Sequence, residues 1–423
     1  MGRDVTNDFS FTKGNAIKKR NNGLMRLEQN VPAGALHCNL KMDGATKAAV
    51  EAIHGSPTQA VLYLSGGASQ ALGWLMCVPG ASSTVLEVVI PYSRTSMAQL
   101  LGKVPESFAA QETSDSMALL AYNRALKLSM TGTPVLGIGF TGALSSIASK
   151  RGEHRCYVSA RTSQQMWRSN VVFSKGLRDR EEEDALSSQL LLKGIATACN
   201  ISMDSVMELQ EDEVIKESKQ CFNEVQQLEQ LIAGQTWMKV YSFEKGHVPE
   251  PGRRIILSGS FNPLHEGHTR LLEIASSISK NAFPCYEISA INADKPPLTL
   301  NQIKDRVKQF EAIGKTIIIT NQPYFYKKAE LLPDSTFIIG ADTVARIIDP
   351  KYYGDNYERM LEVLLGVKQL GCNFLVAGRN VGGIFKVLAD FDIPMQLVDM
   401  FAPIPEALFR MDISSTEIRE KLP

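Results

Sequence analysis

A chain of 423 residues has room for two or three domains. Its 44% hydrophobic and 21% charged residues are ordinary for a globular protein, and 45 basic residues balance 45 acidic ones. Zero formal charge argues against bulk nucleic-acid binding and against an electrostatic membrane anchor, and no apolar run is long enough to span a bilayer.

The first 35 residues mix Asp, Asn, Lys and Arg without an apolar segment, and are expected to form a loosely attached tail. Seven cysteines, odd in number and without a CxxC pair, argue against a disulfide framework and a structural zinc. They fit a reducing compartment, so a cytoplasmic location is expected, with organelle targeting left open.

Residues 36–203 alternate helix and strand and predict an α/β layered domain. Helices are expected over 36–52, 70–76 and 114–128. Strands are expected over 60–64, 85–91, 134–143 and 155–160. The first strand runs into Ser65-Gly66-Gly67-Ala68-Ser69, a tight glycine turn. This order, with Val78-Pro79-Gly80-Ala81-Ser82 and Ile90-Pro91-Tyr92-Ser93, resembles the C-terminal domain of the competence-damage-inducible (CinA) family, which includes nicotinamide mononucleotide deamidases. The resemblance places Ser65 on the nucleophile position. It places Met97, five residues after Tyr92, where the family has its activating lysine; Lys103 is at the wrong spacing. A serine attacks an amide only with a base or a shifted pKa, and methionine supplies neither. Ser65 and Tyr92 are therefore expected to mark a degenerate deamidase site, in a domain retained for ligand binding or oligomerisation.

Residues 204–252 predict a helical linker, with one amphipathic helix over 205–232 that offers a face for homo-oligomer formation. Gly246, Pro249 and Pro251 close it.

Residues 253–423 predict a Rossmann-like doubly wound α/β domain. Strands are expected over 254–258, 284–291, 315–320, 336–340, 373–377 and 395–398. Helices are expected after His268, over 299–313, after Asp342 and over 357–371. The opening strand ends in Gly259-Ser260-Phe261-Asn262-Pro263-Leu264-His265-Glu266-Gly267-His268. A glycine turn into a helix start favours anions, and two histidines three residues apart share one helix face. Near the other end, Ser414-x-x-Glu417 fits a capping box, with Ser415, Thr416 and Arg419 adding donors for phosphate oxygens.

The first motif resembles the GxFxPxHxGH signature of the nucleotidylyltransferase superfamily. The second, Ile413-Ser414-Ser415-Thr416-Glu417-Ile418-Arg419, resembles its ISSTxxR signature. They lie roughly 150 residues apart, in the family's order. The ISST form is similar to that of the nicotinamide or nicotinate mononucleotide adenylyltransferases; the RTxGIST form of CTP-using members is absent. Lys295, the Gly340-Ala341-Asp342 segment and Arg379 look like further family positions. The resemblance implies that His265, His268 and Arg419 are catalytic. It implies that Gly259, Ser260, Phe261, Lys295, Gly340, Asp342, Arg379, Ser414, Ser415 and Thr416 bind nucleotide. Expected partners are ATP with Mg²⁺ and a mononucleotide, with no nucleic acid and no membrane; the metal ligands stay unassigned. Residue types alone leave Asp342 open as a mere helix N-cap and Tyr324–Tyr326 as packing. Two alternatives stand beside adenylyl transfer. One is cytidylyl transfer to a phosphorylated alcohol. The other is a non-catalytic nucleotide-binding regulator.

Overall fold

Two apolar strand runs, Ala60–Leu64 and Ile255–Leu257, are buried on both faces and seed two separate sheets. The computed structural model describes residues 42–147, 151–203, 207–243, 253–280, 282–292, 296–381, 383–411, 413 and 415–421. The expected tail lies outside them.

The first half runs α1 (Gly44–His54), β1 (Gln59–Ser65), α2 (Ser69–Cys77), α3 (Ala81–Thr84), β2 (Val85–Val89), α4 (Arg94–Leu101) and α5 (Gln111–Leu128). It continues with β3 (Val135–Ala143), β4 (His154–Arg161), β5 (Gln165–Phe173), α6 (Arg180–Ala198) and β6 (Lys216–Cys221). The sheet order is β2-β1-β3-β4-β5-β6. The first three strands are parallel and the rest antiparallel. Apolar clusters cover both faces: Leu62, Leu64 and Ile138 meet α1, α2 and α6, while Val61 and Tyr63 meet α4 and α5.

The second half runs α7 (Glu224–Ile232), β7 (Met238–Tyr241), β8 (Arg254–Ser258), α8 (Glu266–Ile278), β9 (Phe283–Ser289), α9 (Leu300–Ala312), β10 (Ile317–Thr320) and α10 (Phe325–Leu331). It continues with β11 (Ser335–Gly340), α11 (Ala341–Ile347), α12 (Tyr357–Gln369), β12 (Asn373–Ala377), a β13 (Arg379–Val381) to β14 (Ile384–Lys386) hairpin, β15 (Phe401–Pro403) and α13 (Ser415–Lys421). The order β15-β12-β11-β8-β9-β10-β7 is parallel except for β7. This is a doubly wound sheet, with Ile256 and Ile255 pointing into clusters on opposite faces.

Two expectations are corrected, and one open reading is described. The linker is not helical: residues 216–221 form the edge strand of the first sheet, 224–232 a short helix, and 238–241 the antiparallel edge of the second sheet. The interval expected as a strand over 395–398 is a 3-10 turn, Met395–Met400, and pairing begins only at Phe401. Tyr324–Tyr326 opens helix α10, and rings 324 and 326 stack on each other with centroids 5.4 Å apart.

Candidate active site

The chain leaves β8 to build β9 and β10 on one side, then crosses to build β11 and β12 on the other. The carboxyl ends of β8 and β11 therefore flank the topological switch point, where open α/β sheets bind ligands.

From β8 the chain enters a turn whose shape is set by one ring. Phe261 is 1% exposed and takes φ +43°, the left-handed region, at a cost of roughly 1–2 kcal/mol. Its ring meets His268, Tyr286 and Phe310 edge-on, at centroid distances of 4.9, 5.4 and 5.3 Å. Three such contacts, at about 0.5–1.5 kcal/mol each, outweigh that strain. Gly259 makes room for the ring: a Cβ there would lie 2.9 Å from Phe261 Cζ. The Phe261 side chain, expected to bind nucleotide, is buried and packs against His268. Gly259 and Ser260 are exposed at the mouth.

His265 caps α8, and the His265 and His268 rings stack with centroids 3.7 Å apart. Gly267 is needed between them, because a Cβ there would stand 3.0 Å from His265 Cε1 and Nδ1. Burial first, then Arg379, holds the His265 pKa below the usual imidazole value. Burial, His265 and Arg379 push His268 down to about 3. Both rings are thus neutral at pH 7. The His265 N–H donates to His268 Nδ1 at 3.3 Å, which leaves the proton of the neutral ring on Nε2. A neutral Nε2–H is a donor suited to an oxygen that gains charge.

Arg379 enters from β13. Its Nη1 stands 3.5 Å from Asp342 Oδ1, and Gly340 is the residue that lets them meet: a Cβ there would lie 2.6 Å from that oxygen and 3.3 Å from Arg379 Cδ. Asp342 is not the helix N-cap; Gly340 is, and Asp342 sits in the first turn of α11.

The second motif is folded onto the first. Ser415 Oγ donates to the carbonyl of Pro263 at 2.9 Å, and Arg419 Nη1 donates to the carbonyl of Asn262. Arg419 Nη2 also donates to Thr416 Oγ1 at 3.1 Å. Helix α13 spans seven residues, so its hydroxyls and guanidinium, more than its dipole, are the donors this segment offers. Lys295 and Ser414 lie outside the described residues.

One contributor was missed from sequence. Helix α9 carries Gln309, which donates to Phe261 O at 3.1 Å and accepts from Leu264 N–H at 2.7 Å, clamping the turn. The same helix carries Arg306 among its buried residues Ile303, Val307 and Phe310. A cation standing in an apolar i, i+3, i+4, i+7 stripe was the available signal. Among the described residues no cluster of three or more His, Cys, Asp or Glu side chains could hold a metal.

In the first half, Ser65 Oγ donates to the Pro91 carbonyl at 3.3 Å, Tyr92 is 70% exposed, Met97 is buried and Lys103 is exposed. The cation next to this turn is Arg180, whose Nη2 donates to the Gly66 carbonyl at 3.0 Å; an arginine stays protonated and offers no base. The start of α2 is taken by Asp184, which accepts from the N–H groups of Ser69 and Gln70.

Residues 256–421 match the cytidylyltransferase-like family model, so the interval holding both motifs is a nucleotidyltransferase-like domain. No curated protein sequence gave a match. Among solved structures, the N-terminal part finds a competence/damage-inducible protein from Agrobacterium tumefaciens, 14% identical, with 38% of this chain and 98% of that one covered at a TM-score of 0.31. A CinA superfamily protein from Escherichia coli is 13% identical over 38% and 92%, at 0.30. Plasmodium falciparum nicotinic acid mononucleotide adenylyltransferase, complexed with NaAD, is 17% identical over 40% and 83%, at 0.25. Among the described residues no helix is long and apolar enough to cross a membrane.

Proposed function

We propose that the C-terminal half transfers AMP from ATP to nicotinamide or nicotinate mononucleotide, forming NAD or deamido-NAD and releasing pyrophosphate. The observation that carries this reading is the latch between the two motifs. Ser415 and Arg419, from the ISST segment, bond the carbonyls of the very turn that presents His265 and His268. Residues over 150 positions apart thus share one anion-binding crevice at the switch point.

In the reaction an oxygen of the mononucleotide 5′-phosphate attacks the α-phosphorus of ATP. A new P–O bond forms, the bond to the bridging oxygen breaks, and pyrophosphate departs with that electron pair. No covalent enzyme intermediate is needed, so catalysis is positioning and charge neutralisation. His268 and His265, as neutral donors, act on the α- and β-phosphate oxygens. Arg419, Ser415 and Thr416 hold the β- and γ-phosphates, and Lys295 bridges toward the second substrate. Arg379, steered by Asp342, lies on the mononucleotide side. Mg²⁺, carried by the polyphosphate, neutralises charge when bound and needs few protein ligands.

The description of the matched family keeps cytidylyl transfer to a phosphorylated alcohol as the second reading. One assay separates them: pyrophosphate release with Mg²⁺ and ATP plus either mononucleotide, against CTP plus a phospho-alcohol, with products identified by chromatography. Turnover with ATP is expected. Turnover only with CTP moves the assignment to the second reading, and measurable nucleotide binding with no turnover makes the domain a regulator. The first half is proposed to be inactive as a deamidase, because Ser65 lacks a base. Ammonia release from nicotinamide mononucleotide without ATP would sink that part.

A further inference from the structure

Arg306 is 7% exposed, yet its hydrogen bonding is incomplete. Its Nη1 donates only to the Gln302 carbonyl of its own helix, at 3.2 Å, and its Nε has no partner. Comparable cations of this chain have stronger contacts. Lys328 lies 2.7 Å from the Glu287 carboxylate. Half-buried Arg254 donates to three oxygens, and Arg161, whose Nε is also unpartnered, stacks 3.8 Å over the Phe222 ring while donating to Gln230. Arg306 has no such partner among the described residues. The adjacent acid, Asp305, is exposed and stands 3.7 Å from Lys308. Burial first, then the nearby Arg419, another cation, lowers the Arg306 pKa, and Asp305 opposes this only as the smallest of the three influences.

An arginine left under-bonded in an apolar stripe, facing a like charge, is costly to hold. The cost becomes intelligible when the position is considered. One turn further along α9, Gln309 bonds both Phe261 O and Leu264 N–H. Arg419 bonds Asn262 O from the other side. The turn that presents the histidines is thus held by Arg419 on one side and, on the other, by the helix that carries Arg306, near enough to Arg419 to feel its charge. A ligand with two or more negative charges would relieve their repulsion and take up the idle donors of Arg306.

We infer that Arg306 is a second binding residue for the leaving pyrophosphate, pairing with Arg419 across the 261–264 turn. This assignment rests on the transferase reading for the identity of the anion, but its test does not require turnover. Binding of inorganic pyrophosphate to the full-length protein is measured by calorimetry for wild type, Arg306→Gln and Arg306→Lys, with AMP as a control ligand and thermal unfolding as a check on the fold. Arg306→Gln is expected to weaken pyrophosphate binding at least tenfold, to leave AMP affinity within twofold, and to flatten the salt dependence. Arg306→Lys is expected to fall between, since it keeps the charge and loses the planar fork; it also keeps the test open if the glutamine variant fails to fold. Equal pyrophosphate affinity in all three proteins overturns the inference. So does a matching loss for AMP, which would make Arg306 a structural residue, or a wild type that does not bind pyrophosphate. If pyrophosphate binding falls as expected while no nucleotide turns over, the transferase reading fails and the anion site stands.

Discussion

In the proposed transfer His265 and His268 act as neutral donors and not as cations. Burial dominates both depressed pKa values, and the nearby Arg379 adds to the effect. Arginine elsewhere in the crevice supplies the fixed positive charge, so the imidazoles are free to supply direction. Removing one such donor typically costs 10²–10³ in rate. His268→Ala is therefore expected to lower kcat by at least a hundredfold, and near-normal turnover would remove the role assigned to it. The same ring predicts a pH dependence of stability. A histidine whose folded pKa is about 3, against 6.5 when unfolded, takes up its proton more readily in the unfolded chain. Its contribution to stability is intact above pH 6.5 and is lost progressively as pH falls toward 3, with a slope of at most about 1.4 kcal/mol per pH unit. Thermal unfolding of the ligand-free protein between pH 7 and 4 should be flatter for His268→Asn than for wild type; parallel curves would show that the ring is not protected as described.

At the scale of elements, the turn between β8 and α8 works because each glycine gives way to a named group. Gly267 has ordinary helical backbone, so Gly267→Ala should not strain the chain and should favour the helix by about 0.5–1 kcal/mol. Its new Cβ would nevertheless stand 3.0 Å from the His265 ring and displace it. The expected outcome is a protein as stable as wild type or more so, with turnover down roughly ten- to a hundredfold, since small displacements of catalytic groups cost that much. Unchanged turnover would mean that the His265 position is not critical. This turn was legible in the sequence because its chemistry is local: apolar strand, Gly259, Pro263, two histidines at i and i+3. The region over 204–252 was not. Strand β6, Lys-Glu-Ser-Lys-Gln-Cys, is exposed at every position and shows no alternation. It is a strand only because β5 offers it an edge, and that pairing is invisible in its own residues. Likewise the apolar residues of 395–398 suited a strand, and pairing begins only at Phe401. Arg306 and Gln309 escaped for the same reason: they act on a turn some forty-five residues away in the chain.

At the scale of the whole molecule, the two sheets are fastened through α5. Leu126 packs into a cluster of each half. Arg254, at the base of the strand that carries the histidines, donates to Ser129 O and Thr131 Oγ1 just beyond the end of α5. Asn123 is 1% exposed; it donates to Gln235 O at 2.8 Å and accepts from Trp237 N–H at 3.1 Å, on the approach to β7. The first half thus has a structural part to play whatever ligand it binds. It fixes the edge strand and the base of the site strand of the second sheet. Asn123→Ala would remove two hydrogen bonds from the Gln235 carbonyl and the Trp237 N–H at this part-buried seam, each worth about 0.5–1.5 kcal/mol. We expect the variant to unfold several degrees lower, with pyrophosphate binding at low temperature retained, because Trp237 leads into edge strand β7, three strands away from β8 in the sheet order. A melting temperature unchanged by the substitution would show that the halves are merely tethered. Loss of pyrophosphate binding in a still-folded variant would show instead that the seam reaches the site, and that the first half governs the chemistry of the second.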